Sequence, residues 1–337
     1  MSQSNIVPVA VVGCGRMGRL HARVYSQMPT VRLAGVYDIN PASAAAAAAD
    51  YGTQALSGLQ EVAEHARAVT VAVPTEQHLT VARPLLERGV ACLIEKPLAK
   101  GVSEARQIVE LSSRHGSLVQ VGHTERFNPA VRAMERLDIR PRYLEVTRIS
   151  PLTFRSIDVG VVLDMMIHDI DIVLKLAQSG VKKVDAVGVS VIGGVEDVCN
   201  ARVEFDNGCV ASLTASRMAL KTERKLRVFS ADAYVSLDYQ KRYALVARRS
   251  ANLDTLRAVV EKIRRGEIQD LSQLRYDQLV KVEELQIDDV EPLRAELDAF
   301  INAVVAGLPP VVSALDGLAA VELAQRIVES MAPGMVL

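Results

Sequence analysis

Residues 9–38 constrain the fold more than any other stretch of the chain. An apolar run, Val9-Ala10-Val11-Val12, leads into Gly13-Cys14-Gly15-Arg16-Met17-Gly18, and Asp38 stands 20 positions beyond the last glycine. This order predicts a strand, a tight turn and a helix, then a second strand over 31–37 that ends at the acid. Each glycine has a mechanical reason. Gly13 permits the turn, Gly15 lacks a Cβ and so admits a pyrophosphate to the backbone, and Gly18 lets helix and strand pack closely. The helix start offers unpaired N–H groups and a positive dipole end to phosphates, so Arg16 and Met17 are expected beside them. The Asp38 carboxylate can accept hydrogen bonds from both hydroxyls of an adenosine ribose. It also repels a 2′-phosphate, and neither Ile39 nor Asn40 offers a cation to hold one. NAD is therefore the expected cofactor, in preference to its phosphorylated form. A glycine-rich turn alone is weak evidence and also fits an ordinary strand–turn–helix; the flanking strand, the helix and the spaced acid together make the motif specific.

A chain of 337 residues suits about two domains. Its net charge of −1 gives no basic field that would argue for nucleic acid. No apolar run approaches the roughly 20 residues that span a bilayer, and the first residues lack a signal-type core. Cys14, Cys92, Cys199 and Cys209 are scattered without zinc-type spacing and read as small buried residues. A cytoplasmic protein without membrane or nucleic-acid partners is expected.

The first third alternates strands (7–12, 31–37, 68–73, 90–94, 118–122) with helices (16–27, 41–50, 76–88, 103–115). That alternation predicts a doubly wound parallel sheet, an α/β domain over 1–123. Pro41 suits a first helical turn, and the alanine run 44–49 is read as helix. From 124 to 337 the pattern changes. A helix over 160–177 precedes strands at 182–192, 197–205, 209–218, 223–230 and 233–248, which implies an α+β domain with a large open, mainly antiparallel sheet. At Asp206-Asn207-Gly208 a three-residue turn with Gly208 left-handed pairs Phe205 with Cys209. Cys199, Ala201, Val203 and Phe205 then share a face with Cys209, Ala211, Leu213 and Ala215. Residues 250–290 suggest surface helices and loops. An amphipathic helix over 313–330 is placed where it can pack back towards the first domain.

Ligands of parallel sheets sit beyond the carboxyl ends of the strands. Pro74, Thr75 and His78 follow one such strand and are candidates to line the cofactor site; for His78 a surface position at a helix start fits as well. The next strand ends in Glu95-Lys96-Pro97. Lys96 there can orient a substrate hydroxyl and stabilise an alkoxide, although position alone also fits a surface ion pair. Asp164 and His168 lie i, i+4 on one helix face, a stripe continued by Asp171 and Lys175. The stripe reads either as a solvent face or as a carboxylate beside an imidazole poised as a general base. Asp and His also ligate metals, but hydride transfer needs none, so no metal is expected.

Taken in this order, the glycine turn with Asp38, Glu95-Lys96-Pro97 and Asp164-x-x-x-His168 resemble the Gfo/Idh/MocA family of NAD(P)-dependent sugar and inositol oxidoreductases. The resemblance spans essentially the whole chain. It implies that Lys96, Asp164 and His168 are catalytic and that Glu95 and Lys96 also border the cofactor. It further implies a cis bond before Pro97 and a sheet face that makes dimers or tetramers. Residues 121–129, 158–171 and 205–211 look like the branch that oxidises the 3-hydroxyl of UDP-N-acetylglucosamine. That branch implies a UDP-sugar substrate, a PLP aminotransferase acting next, and lipid A precursor synthesis. Arg155, Arg126 and Asn128 are candidates for the substrate side with His168, and Arg126 reads equally as a structural ion pair. Whether Asp164 holds Lys96 or His168 stays open. An inositol or hexose dehydrogenase, or a non-catalytic NAD-binding regulator, are the alternative readings.

Overall fold

The computed structural model describes residues 6–153, 158–249, 253–267 and 280–331. The first sheet is built from β1 (Val7–Val12), β2 (Val31–Tyr37), β3 (Ala68–Val71), β4 (Ala91–Glu95) and β5 (Val119–Gly122). All neighbours are parallel, in the order β2-β1-β3-β4-β5. Strand order reverses between β1 and β3, which opens a crevice at their carboxyl ends. The helices α1 (Arg16–Ser26), α2 (Pro41–Tyr51), α3 (Leu59–His65), α4 (His78–Leu86) and α5 (Val102–His115) cover the sheet. In α2 the Asn40 side chain accepts from the Ala42 N–H, Pro41 sits in the first turn, and Gly52 closes the helix at φ +63°. The alanine run is thus helical, with Ala44, Ala47 and Ala48 buried.

The second sheet has eight strands in the order β13-β12-β11-β10-β6-β9-β8-β7. These are β6 (Tyr143–Ile149), β7 (Val181–Val189), β8 (Val198–Phe205), β9 (Val210–Ser216), β10 (Glu223–Phe229), β11 (Ala233–Asp238), β12 (Tyr243–Arg249) and β13 (Val280–Glu284). Only β6 and β9 pair in parallel; every other pair is antiparallel. The hairpin at Gly208 has the expected register. The Phe205 N–H donates to the Cys209 carbonyl at 2.9 Å, Gly208 takes φ +81°, and the eight face residues from Cys199 to Ala215 are buried together. All four cysteines are free and buried.

Several elements depart from the expectation. The single strand over 233–248 is a hairpin, β11 and β12, turned at Asp238, whose carboxylate accepts from the Gln240 and Lys241 N–H groups. Arg242 takes the left-handed conformation there, so no glycine announces the turn. The strand β6 and the helix α6 (Pro129–Glu135) lie in a stretch where no element was expected. The helix α7 (Ile167–Ala177) is preceded by a π-helical turn, Val162–Met166, in place of a continuous α-helix. After α8 (Leu253–Arg264) and β13, the chain returns to the parallel sheet. There α9 (Pro292–Ala306) packs Leu293, Leu297, Phe300, Ile301 and Val304 against β1 and α1. The last helix, α10 (Ala314–Ser330), spans both halves: Val321 joins the core around β5, and Ala320, Leu323, Ala324 and Ile327 join the core beneath the eight-stranded sheet. A Cβ on its Gly317 would come within 2.7 Å of Val121, so the helix sits close on β5. Among the described residues no helix is long and apolar enough to cross a membrane.

Candidate active site

The glycine turn sits at the carboxyl edge of β1, beside the strand-order reversal. Gly13 takes φ +94°, and a Cβ there would stand 2.4 Å from the Ala72 carbonyl oxygen just past β3. A Cβ on Gly18 would collide with the Gly13 carbonyl at 1.7 Å. Around the ideal Cβ position of Gly15 there is nothing within 4 Å. That open space, with Gly15 as an N-cap that has no side chain to satisfy the helix, leaves the first-turn N–H groups of α1 available to an anion. Arg16 and Met17 are exposed at this opening. The Asp38 carboxylate is fixed from both sides: Oδ2 accepts from the Cys14 N–H at 2.7 Å and Oδ1 from the Asn40 N–H at 2.8 Å. Pro74 and Thr75 flank the same edge after β3. These residues fit a dinucleotide with a diol-bearing ribose.

His78 is neither a surface residue nor part of that opening. It is buried, with Nε2 3.0 Å from the Val73 carbonyl and Nδ1 3.0 Å from the Pro97 carbonyl. Both nitrogens are taken by the chain itself, so His78 ties the end of β3 to the loop that carries Lys96. Burial lowers its pKa despite these carbonyls. Glu95 likewise turns inward. Its Oε1 lies 2.9 Å from Nε2 of the buried His21 on α1, and its Oε2 accepts from the Lys96 N–H at 3.2 Å. Burial opposes its charge, but His21 and Lys96 outweigh burial and hold its pKa below the usual carboxylate range. Glu95 therefore anchors the Lys96 loop to α1. The Lys96–Pro97 peptide bond is cis.

Lys96 reaches across to the second half of the chain. Its ammonium donates to the Asp164 carbonyl at 2.6 Å and lies 3.5 Å from the Asp164 carboxylate. Asp164 thus stands with the lysine rather than with the imidazole. Burial lowers the Lys96 pKa, while Asp164 and Glu95 pull it back up. The helix start that brings Asp164 here is held by the loop before β8: the Val161 N–H donates to the Glu196 carbonyl and the Val162 N–H to the Glu196 carboxylate. One wide π turn later comes His168, partly exposed, with a buried Nδ1 that has no partner among the described residues. The ring of the buried His123 packs edge-on against it at 6.3 Å. Burial, then the charges of Lys96 and Arg148, hold the His168 pKa well below the ordinary imidazole range. Lys96 and Asp164 are thus in contact at the carboxyl edge of the parallel sheet, and His168 follows Asp164 by one turn.

Two candidates for the substrate side have other work. Arg126 is 3% exposed and clamps Asp171 with two bonds, at 2.6 and 2.8 Å. Asn128 is buried, caps α6 by accepting from the Ala130 N–H, and donates to Glu125. Both side chains are thus engaged within the protein, Arg126 through Nε and Nη2 and Asn128 through its amide oxygen and nitrogen. Asp171 is accordingly buried too, which overturns the solvent-face reading of the stripe that Asp164 and His168 begin. Arg155 lies outside the described residues. Sequence reasoning missed Arg148 on β6, which grips Asp169 of α7 through two bonds at 2.7 and 2.8 Å and Glu125 through a third at 3.0 Å. It also missed Glu296 of α9, fully buried 3.1 Å from the Thr124 hydroxyl. A charged residue in step with Leu293, Leu297 and Phe300 was the available signal for Glu296.

Residues 7–123 match the oxidoreductase family Gfo/Idh/MocA, NAD-binding Rossmann fold, and residues 146–236 match a Gfo/Idh/MocA C-terminal domain. The chain is 32% identical over 300 residues to UDP-N-acetylglucosamine 3-dehydrogenase of Acidithiobacillus ferrooxidans, covering 89% of each protein. A solved structure of that enzyme superposes with a TM-score of 0.86 at 29% identity, covering 97% of each chain. Inositol 2-dehydrogenase of Rhizobium meliloti is 26% identical over 337 residues, covering 97% of each protein.

Proposed function

The chain belongs to the Gfo/Idh/MocA family of NAD-binding oxidoreductases, and from that premise we propose that it oxidises the 3-hydroxyl of UDP-N-acetylglucosamine to a ketone. The observation that carries this reading is the contact of Lys96 with Asp164 at the carboxyl edge of the parallel sheet, with His168 one turn on, in a chain that shares 32% identity over 89% of its length with an enzyme of that name.

The Gly13–Gly18 turn and Asp38 would hold NAD⁺, which would supply the hydride acceptor. His168, kept neutral by burial and by the cations around it, takes the proton of the reacting hydroxyl. Lys96 donates a hydrogen bond to that oxygen and stabilises its alkoxide character. Asp164 holds the ammonium in place through its carbonyl and carboxylate. The ketone formed at C3 is a substrate for a PLP-dependent aminotransferase, as lipid A precursor synthesis requires. The family's tendency to assemble through the open sheet makes a homodimer or homotetramer the expected form.

Inositol oxidation is the second reading, favoured by the full-length match to the Rhizobium enzyme. A panel of UDP-sugars, free hexoses and inositols, followed by NADH absorbance, separates the two. Turnover of UDP-N-acetylglucosamine with rejection of the uncharged compounds is expected. The reverse preference overturns the proposal.

A further inference from the structure

The strand β10 places a second arginine beside the catalytic helix. Arg224 stands directly across the ladder from Arg148 of β6. By the alternation of β10 it shares a face with Leu226 and Val228, which are buried in the core that also holds Ile170 and Val173 of α7. The two guanidinium groups thus lie side by side on the face of the sheet that α7 covers, at the end of the strands nearest His168. Like charges directly opposed in a sheet are destabilising, so such a pair needs compensation.

The compensation is unequal. Arg148 is saturated by Asp169 and Glu125. Among the described residues Arg224 has one carboxylate within 4 Å, Glu125 at 3.8 Å, beyond hydrogen-bond distance. The carboxylate it approaches is already engaged, one oxygen by Arg148 and the other by Asn128. The Arg224 side chain is 47% exposed, and its ladder partner Arg148 holds Asp169, the residue next to His168. An arginine in a protein keeps its charge. A planar fork that is cationic, half-open, held at one side and close to the general base is arranged to accept an anion.

We propose that Arg224 binds a phosphate of the sugar substrate and selects phosphate-bearing sugars over uncharged ones. This rests on the preceding reading of the site as a sugar-nucleotide dehydrogenase. In a nucleoside-diphosphate sugar the first phosphate hangs from C1, a few bonds from C3, so a group that reaches the C3 hydroxyl region is near that phosphate as well. A guanidinium fork matches two phosphate oxygens at once. A neutral cyclitol or hexose gives it nothing to hold.

The test is steady-state kinetics of wild type, Arg224→Ala and Arg224→Lys with UDP-N-acetylglucosamine at saturating NAD⁺, with UDP as a competitive inhibitor and NADH binding followed by fluorescence. Loss of a charge-assisted fork is expected to raise KM and the UDP inhibition constant about tenfold or more in the alanine variant. The rise is expected to be smaller in the lysine variant, which keeps the charge but not the fork. NADH affinity should hold within about twofold in both, since a merely structural defect would move it too. If wild type oxidises the nucleotide sugar and both variants match it in KM and UDP inhibition, the role of Arg224 is overturned while the proposed activity stands. If wild type oxidises only uncharged sugars, both fall. Should the alanine variant fail to fold, the lysine variant decides by the same UDP readout.

Discussion

At the scale of single residues, the same side-chain type is used in opposite ways in the two halves of the chain. His78 has both ring nitrogens against carbonyl oxygens, whereas His168 has a buried Nδ1 with no partner among the described residues and a partly exposed ring. His78 can only hold the loop in place; His168 can trade a proton with something that enters. Its pKa is depressed because burial and then the Lys96 and Arg148 charges disfavour the imidazolium. The sign follows: the base stays neutral below the ordinary value of about 6.5, so the acid limb of kcat/KM should fall at a pH lower than that. His168→Asn is expected to reduce kcat by about 10²–10⁴ while NADH still binds, as fluorescence titration would show. An unaltered kcat would remove His168 from the mechanism. Lys96 and His168 could be singled out in the sequence because a charge at a buried strand end and an imidazole on an apolar helix are locally odd. The partners of Arg126 and Asn128 could not, since Asp171 and Glu125 are chosen by tertiary contact, although an ion pair was one reading of Arg126.

At the scale of elements, legibility followed locality. The β1–turn–α1–β2 unit was readable because its glycines, its strands and its acid all fall between Val7 and Asp38, although the glycines are there for different reasons. Gly15 and Gly18 make that claim testable, because the structure assigns them different reasons. A Cβ at Gly18 would meet the Gly13 carbonyl at 1.7 Å, while one at Gly15 meets nothing within 4 Å. Gly18→Ala is therefore expected to lower the melting temperature of the unliganded protein and to abolish NADH binding. Gly15→Ala should leave that melting temperature within about 1 °C, an effect under ~0.5 kcal/mol, yet weaken NADH binding, because its Cβ would obstruct only a bound pyrophosphate. Differential scanning fluorimetry with and without NADH reads both; a thermal loss in the Gly15 variant alone would reverse the assignment. The strand β6 was not readable in this way. Its alternation of Leu144 and Val146 is completed by Arg148 where an apolar residue would be expected, and that arginine makes sense only once Asp169 of α7 lies over it. The π turn before α7 was hidden for a related reason: the i, i+4 spacing of Asp164 and His168 reads as ordinary α-helix until Glu196, more than 25 residues later, is seen capping its start.

At the scale of the whole molecule, the chain closes on itself beneath the active site. The helix α9 comes from far downstream, yet Glu296 sits in the core with its backbone carbonyl accepting from Gln120 of β5 and its carboxyl group against Thr124. Two carboxyl groups, Glu95 and Glu296, are thus buried in one region, and His21 and Lys96 serve only the first of them. Glu95 keeps the charge. Burial, and then repulsion from Glu95, push the Glu296 pKa well above the carboxylate range, which favours its neutral acid form in the folded protein. That has a definite consequence for stability. In the unfolded chain the same group ionises near pH ~4.3. As pH rises past that value the unfolded state releases a proton that the native state retains, and stability is lost until the folded pKa is passed. Glutamine has no proton to release. Glu296→Gln should therefore gain on wild type as pH rises, with melting temperatures close together at pH 4 and a higher value for the variant at pH 8. Each kcal/mol of difference corresponds to about 2–4 °C if the chain melts like domains of 150–250 residues. A gap that does not change between those two pH values would mean that Glu296 is ionised in the folded protein, and that the charge beneath the catalytic lysine is shared differently from the arrangement derived for Glu95 and His21.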